Sequence, residues 1–252
     1  MLLNKEEIKE LINGVWTGKY NRDKLPYWLF DKTANGICDA IKQGWGATIG
    51  TQAKDVELLK AWQNNTFYFA ANKTAHELND LNNLLNTSVS RTEFIEKALK
   101  VDNKYNRAWY ETEYNTSQRL AKSGREWRDI EDNADVYEYL QYVAVNDANT
   151  RAAHKALDGI IKPVNDAFWS EYFPPLDWAC RCRVKKLLDG KPTDITQKDL
   201  PKANPLFTEN VAKSKAIWSN KHPYFKPTTK SAQQEVDKMV KVKTELSKPK
   251  KK

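Results

Sequence analysis

The amino-acid sequence predicts an α+β fold: an N-terminal helical region (residues 1–103), a small loop-rich β-containing module (104–190) and an extended, basic, Pro/Lys-rich C-terminal arm (191–252). Three observations predict it. Apolar residues recur at helical spacing through the first half of the chain, behind two capping-box sequences. A run rich in aromatic and β-branched residues follows Asp135. Positive charge gathers at the end, where residues 185–252 hold 17 Lys against 7 Asp plus Glu, a net of +10; with +8 overall, residues 1–184 sum to −2.

Asn4 stands three residues before Glu7, a capping-box spacing that opens a short helix with Ile8, Leu11 and Ile12 on one side and Gly14 at its end. Between Tyr20 and Phe30, the cluster Pro26, Tyr27, Trp28, Leu29 and Phe30 shows no clear helical period. Aromatic residues this dense dock onto something, either the chain's own core or another subunit. From Ala53 to Leu85, Val56, Leu59, Trp62, Phe69, Leu78, Leu81 and Leu85 recur near three, four and seven, predicting one long helix or two in succession. Ser90-Arg-Thr-Glu93 is the second capping box, followed by Phe94, Ile95, Ala98 and Leu99 as a buried stripe. Helical texture continues over 104–122 on Tyr105, Trp109, Tyr114 and Leu120, until Ser123-Gly124 breaks it. Val136 to Val145 reads as a strand covered on both faces. Residues 160–164 and 181–187 supply two more short strands, with an extended turn forced by Pro174-Pro175 between them. After Asp189, prolines and a short amphipathic stretch at Val236, Met239, Val240 and Val242 lead to a frayed Lys-Pro-Lys-Lys-Lys end.

Composition narrows the class. With 11% aromatic residues, nine Trp and 29% charged residues at a mean hydropathy of −0.77, the chain is expected to fold and to carry a wet or partner-covered surface. Its three cysteines are odd in number, and the close pair is one residue apart, which argues against a secreted disulfide framework and for a reducing compartment. Charges begin at Lys5, and no run approaches the roughly 18 apolar residues of a membrane span, so no membrane partner is expected. Lys241, Lys243, Lys248, Lys250, Lys251 and Lys252 attract phosphate through counterion release. Non-specific DNA contact, an acidic protein face and a plain solubilising tail all remain open for them.

Candidate chemistry concentrates between Asp147 and Arg183. His154, Cys180 and Cys182 are the donor types of a zinc site. Zinc sites more often space their cysteines two to four apart, so the reading that the spacing favours is two small apolar thiols packed beside a hydrogen-bonded His, with no cofactor. A helix through 149–157 would gather Arg151, His154 and Asp158 on one side. Asp147 would cap it, Arg151 would pin a loop by a bidentate carboxylate contact, Leu157 would enter the core and Gly159 would end the turn. Acid–base catalysis by His154 with Asp158 lacks a nucleophile or oxyanion site, and no enzymatic activity is expected. Trp169, Trp178 and Pro174-Pro175 would form a rigid apolar knuckle beside Cys180-Arg181-Cys182.

In order, these residues are Asp147, Thr150, Arg151, His154, Leu157, Asp158 and Gly159, then Trp169, then Pro174, Pro175, Trp178, Cys180, Arg181 and Cys182. This order resembles the C-terminal signature of the phage Mu F-like head morphogenesis and minor capsid protein family. Upstream, Trp109-Tyr-Glu111-Thr-Glu113 is similar to the family's preceding helix, with Glu111 where an Arg often stands. Trp218 and the His222-Pro223-Tyr224-Phe225 group resemble the tail end of some members. The resemblance covers residues 104–184. It implies a structural, non-enzymatic virion protein, present in few copies near the portal, resident in the host cytoplasm during assembly, and binding portal or major capsid subunits and packaged DNA. A metal-containing or toxin-associated enzyme module is the alternative, although the 68 residues beyond Val184 contain no phosphate-cradling loop or nucleophile elbow.

Overall fold

The computed structural model describes residues 2–46 and 52–248. In chain order its main elements are α1 (Lys5–Trp16), α2 (Tyr27–Trp45), α3 (Ala53–Thr87), α4 (Arg91–Asp102), a π-helical stretch (Asn103–Trp109) and α5 (Tyr110–Asp132), followed by β1 (Tyr139–Val143), α6 (Ala152–Lys155), β2 (Ile161–Pro163), α7 (Phe168–Glu171), β3 (Arg183–Leu187), α8 (Val211–Ser214) and α9 (Lys230–Leu246). This is the expected α+β arrangement with the helices first. The chain divides into two compact units. Unit 1 comprises Met1–Ala40, Leu59–Asn115 and His222–Lys252, and unit 2 comprises Ile41–Leu58 and Thr116–Lys221.

Unit 1 is helical. Asn4 caps α1 as its spacing predicts, accepting from the backbone N–H groups of Glu6 and Glu7 while Glu7 reaches back to the Asn4 N–H. Gly14 does not end this helix. It lies inside it because the Tyr20 ring packs where a Cβ would sit, 2.3 Å from that position, and the chain turns instead at Gly18, with φ of 74°. The aromatic cluster forms the first turn of α2, with Leu29 and Phe30 wholly buried in the unit's own core and Tyr27 and Trp28 packed against it. Helix α3 is one 35-residue helix; Val56 is exposed and Leu58 is buried. Ser90 caps α4, but the Glu93 carboxylate returns to the N–H of Val89, one residue before the cap. Phe94 and Ala98 are buried and Leu99 is exposed.

Where the sequence suggests an extended arm, residues 230–246 form α9, capped by Thr229, with Ala232, Val236, Met239 and Val240 buried in the same core as α1, α2 and α4. Their i, i+4, i+7, i+8 spacing is a full apolar stripe, and burying it outweighs the solvation of the lysines between.

Unit 2 carries the sheet, in the order β2-β1-β3 with both pairs antiparallel. Tyr142 stands opposite Val184 and Gln141 opposite both Ile161 and Lys185. β1 is shorter than its apolar run and alternates, burying Leu140 and Tyr142, while Val136 and Val145 lie exposed beyond its ends. β3 starts at Arg183, so Cys180, Arg181 and Cys182 belong to the loop before it. Ser123-Gly124 does not break the helical pattern: α5 runs through both, buried, with the Ser123 hydroxyl donating to the Pro174 carbonyl. Two small side chains in mid-helix let that loop approach, and the proximity offsets their poor helix propensity. The core gathers Trp127 and Ile130 of α5, Leu140 and Tyr142 of β1, and Leu157, Phe168, Trp169, Phe173 and Val184. The Trp127 and Phe173 rings meet edge to face at 5.0 Å.

Candidate functional site

The residues singled out between Asp147 and Cys182 all fall in unit 2, on the segments that join β1 to β2 and β2 to β3. Gly159 and Ile160 bracket Tyr142: the Gly159 N–H donates to the Tyr142 carbonyl and the Tyr142 N–H to the Ile160 carbonyl, each at 2.9 Å. Gly159 takes φ of 79°, the left-handed region where a side chain is strained. Leu157 is buried beneath it.

Asp147 does not cap a helix. Its carboxylate accepts from the Asn149 N–H and the Thr150 hydroxyl at 3.0 and 2.9 Å, closing a turn. α6 starts later, after Arg151, and is only four residues long. The bidentate carboxylate contact belongs to Arg181 rather than Arg151, through Nη1 and Nη2 to the two Asp147 oxygens at 2.7 and 2.8 Å. That guanidinium, with the Thr150 hydroxyl, holds the Asp147 carboxyl down to about 2. Arg151 places Nε 3.0 Å from Asp177 Oδ2. Asp177 Oδ1 accepts from the Trp178 N–H and from Asn204 Nδ2. Two ion pairs, Asp147 with Arg181 and Arg151 with Asp177, therefore lace the 146–151 loop to the 177–181 loop.

Between these pairs the structure brings His154, Cys180 and Cys182 together. Their donor atoms all lie within 4.8 Å of one another, and Nδ1 of His154 is 3.7 Å from each sulfur. His154 and Cys180 are buried and Cys182 half-buried, and neither Cys180 nor Cys182 is in a disulfide. The two thiols differ in acidity. Donation to Cys182, with burial, raises Cys180, while accepting from Cys180 lowers Cys182, with Tyr142 and His154 adding to the effect.

Asp158 stands apart from this group. Its carboxylate accepts from the Ala144 N–H at 2.8 Å and Asn146 Nδ2 at 2.5 Å, fixing the turn after β1. The helix face expected to collect Arg151, His154 and Asp158 thus does not form. Trp169 is wholly buried, its Nε1–H donating to the Pro163 carbonyl at 3.0 Å. Trp178 is half-buried, edge to face with Phe207 at 5.1 Å, and the Pro174-Pro175 bond is cis.

Of the basic residues proposed to meet phosphate, Lys243 is committed within unit 1, pairing with Asp31 at 2.5 Å and Asn35 Oδ1 at 2.6 Å. Lys241 is exposed and Lys248 pairs with Glu245 on the surface. Lys250, Lys251 and Lys252 lie outside the described residues.

Sequence reasoning missed a second cluster, in unit 1. Lys73 and Glu113 form a buried ion pair, and the Tyr224 hydroxyl donates to Glu113 at 3.2 Å. Asn106 donates to Glu77 at 2.6 Å and to Asp102 at 3.0 Å, and burial pushes the Glu77 carboxyl up to about 8. Lys73 and Glu77 are four apart on α3, a spacing that by itself does not distinguish a buried pair from a solvated one. The available signal was their setting among Ala70, Ala71 and Ala75, all buried.

Residues 79–185 match the family model described as Phage Mu protein F like protein. The chain is 41% identical over 76 residues to the "Putative capsid assembly protein F" of Escherichia phage Mu, covering 30% of this chain and 17% of that protein. It is 52% identical over 56 residues to the Mu-like prophage FluMu F protein of Haemophilus influenzae, covering 22% of this chain and 14% of that one. In these matches the chain spans less than a fifth of either relative's length. No solved structure matches.

Proposed function

We propose that this chain, whose residues 79–185 match the Phage Mu protein F like model, serves as a structural component in assembling a tailed-phage head, its sheet-bearing unit being gripped by portal or major capsid subunits. The observation that carries the reading is the placement of the family-like residues. Asp147, Thr150, Arg151, Asp177 and Arg181 are spent on lacing two loops together, and Trp169 and Leu157 on filling the core beneath them. A laced surface over a packed core presents a fixed shape, which suits recognition by neighbouring subunits. The name of the phage Mu relative, a capsid assembly protein, supports the same class of role. The exposed lysines at Lys241 and Lys248, with those that follow, extend the proposal to a weak, salt-sensitive contact with DNA or an acidic face.

The test is co-purification of the full chain with the portal and major capsid proteins of the same phage, from low to moderate salt. Retention by one of them, weakened by Arg181→Glu, is the expected result. Absence of association with either at any salt overturns the proposal.

A further inference from the structure

We propose that His154, Cys180 and Cys182 bind a zinc ion that clamps the loop before β3 to α6. A tetrahedral zinc holds thiolate sulfur at about 2.3 Å and imidazole nitrogen at about 2.0–2.1 Å, which places a sulfur and a nitrogen ligand roughly 3.6 Å apart across the ion. Both sulfur-to-Nδ1 separations here are 3.7 Å. As hydrogen bonds, the two contacts would have to share one position on Nδ1. Nδ1 has either one lone pair or one proton to offer, yet two sulfurs stand at the same distance from it. A shared central cation explains the equality.

The chemistry of the donors agrees. Two sulfurs and an imidazole nitrogen suit zinc and exclude magnesium or calcium as the preferred ion. A third, independent observation comes from Tyr142. Its hydroxyl is buried near the Cys182 thiol and makes no hydrogen bond among the described residues, sulfur acceptors included. A buried hydroxyl facing a metal-bound thiolate has an acceptor for its proton, the outer-shell contact that orients such ligands. Binding displaces the thiol protons to solvent as the two sulfur–zinc bonds form, so uptake of the ion releases acid. The ion pairs Asp147–Arg181 and Arg151–Asp177 hold the two loops at ligand distance before the metal arrives.

This inference is independent of the head-assembly reading, and its test involves no other phage protein. The full chain is produced without a polyhistidine tag, its zinc content is measured, and the metal-free protein is titrated with cobalt(II) alone. About one zinc per chain, and a thiolate-to-cobalt charge-transfer band that saturates at about one equivalent, are expected. The band should disappear in Cys180→Ser and Cys182→Ser and persist in Cys38→Ser. Tyr142→Phe should keep the stoichiometry and weaken zinc affinity by about 10-fold. The wild-type titration needs no variant to fold. A wild-type chain that carries no zinc and develops no thiolate–cobalt band overturns the proposal, as does a band that survives loss of both Cys180 and Cys182.

Discussion

Gly159 shows how one position can be decided by backbone alone. A Cβ there would meet nothing within 4 Å, so its φ of 79° is the whole constraint. Replacing it by Ala should lower the stability of unit 2 by about 1–2 kcal/mol, read as an earlier urea midpoint with an unchanged slope. Gly159→Asn should cost less, since Asn tolerates that region and Asn146 already occupies it nearby at φ of 59°. Equal losses for the two variants would point to packing instead.

Among the elements, α3, α4 and α5 carry the buried acids of unit 1, Glu77, Asp102 and Glu113. Glu77 faces Lys73, Asn106, Asp102 and Glu113. Its folded-state value is raised from 4.5 to about 8, so between those limits the unfolded chain binds fewer protons than the folded one, and stability falls as pH rises through the window. Glu77→Gln should remove this loss. Thermal unfolding should give nearly equal midpoints at about pH 5 and a variant that is more stable by about 2–4 kcal/mol near pH 8. Parallel profiles would refute the assignment. The same elements show what a sequence conceals. α1, α3 and α4 were legible because caps and apolar spacing are local, as were the three strands of the small sheet. The pairing of Lys73 with Glu113 spans 40 positions and that of Tyr224 with Glu113 spans 111, and no local pattern reports it. In the site, Leu157 and Trp169 are buried and Gly159 ends its turn in the left-handed region, as their types and positions suggest. Which Arg meets which Asp was not legible, because Arg151 and Arg181 carry the same chemistry and only the turn at Asp147 decides between them.

For the whole molecule, the C-terminal lysines and the helix before them separate into different jobs. Truncation after Ser247 removes Lys248 and the basic residues beyond it while leaving the buried face of α9 intact. It should leave the melting temperature unchanged and reduce the salt dependence of DNA retention by about 3–4 in logarithmic slope. Truncation after Phe225 also removes Val236, Met239 and Val240 from the core, at about 1.5–3 kcal/mol for each side chain. That loss is comparable to the net stability of a whole domain, so unit 1 should melt while unit 2 retains its near-ultraviolet signal. Loss of both units together, or of neither, would contradict the division.

Unit 1 is assembled from three separated stretches of chain, whereas unit 2 is complete once Lys221 has been made. On the ribosome, therefore, the N-terminal helices emerge first and finish last. They must wait, their core lacking Ala232, Val236, Met239 and Val240, until α9 is synthesised about 130 residues after α4. A translation pause or a nonsense codon before α9 is made would leave a greasy, half-built helical cluster while unit 2 is already finished. Such an intermediate is a natural client for a chaperone and a target for degradation, so damage to the codons of α9 should be felt in the core shared with α1, α2 and α4.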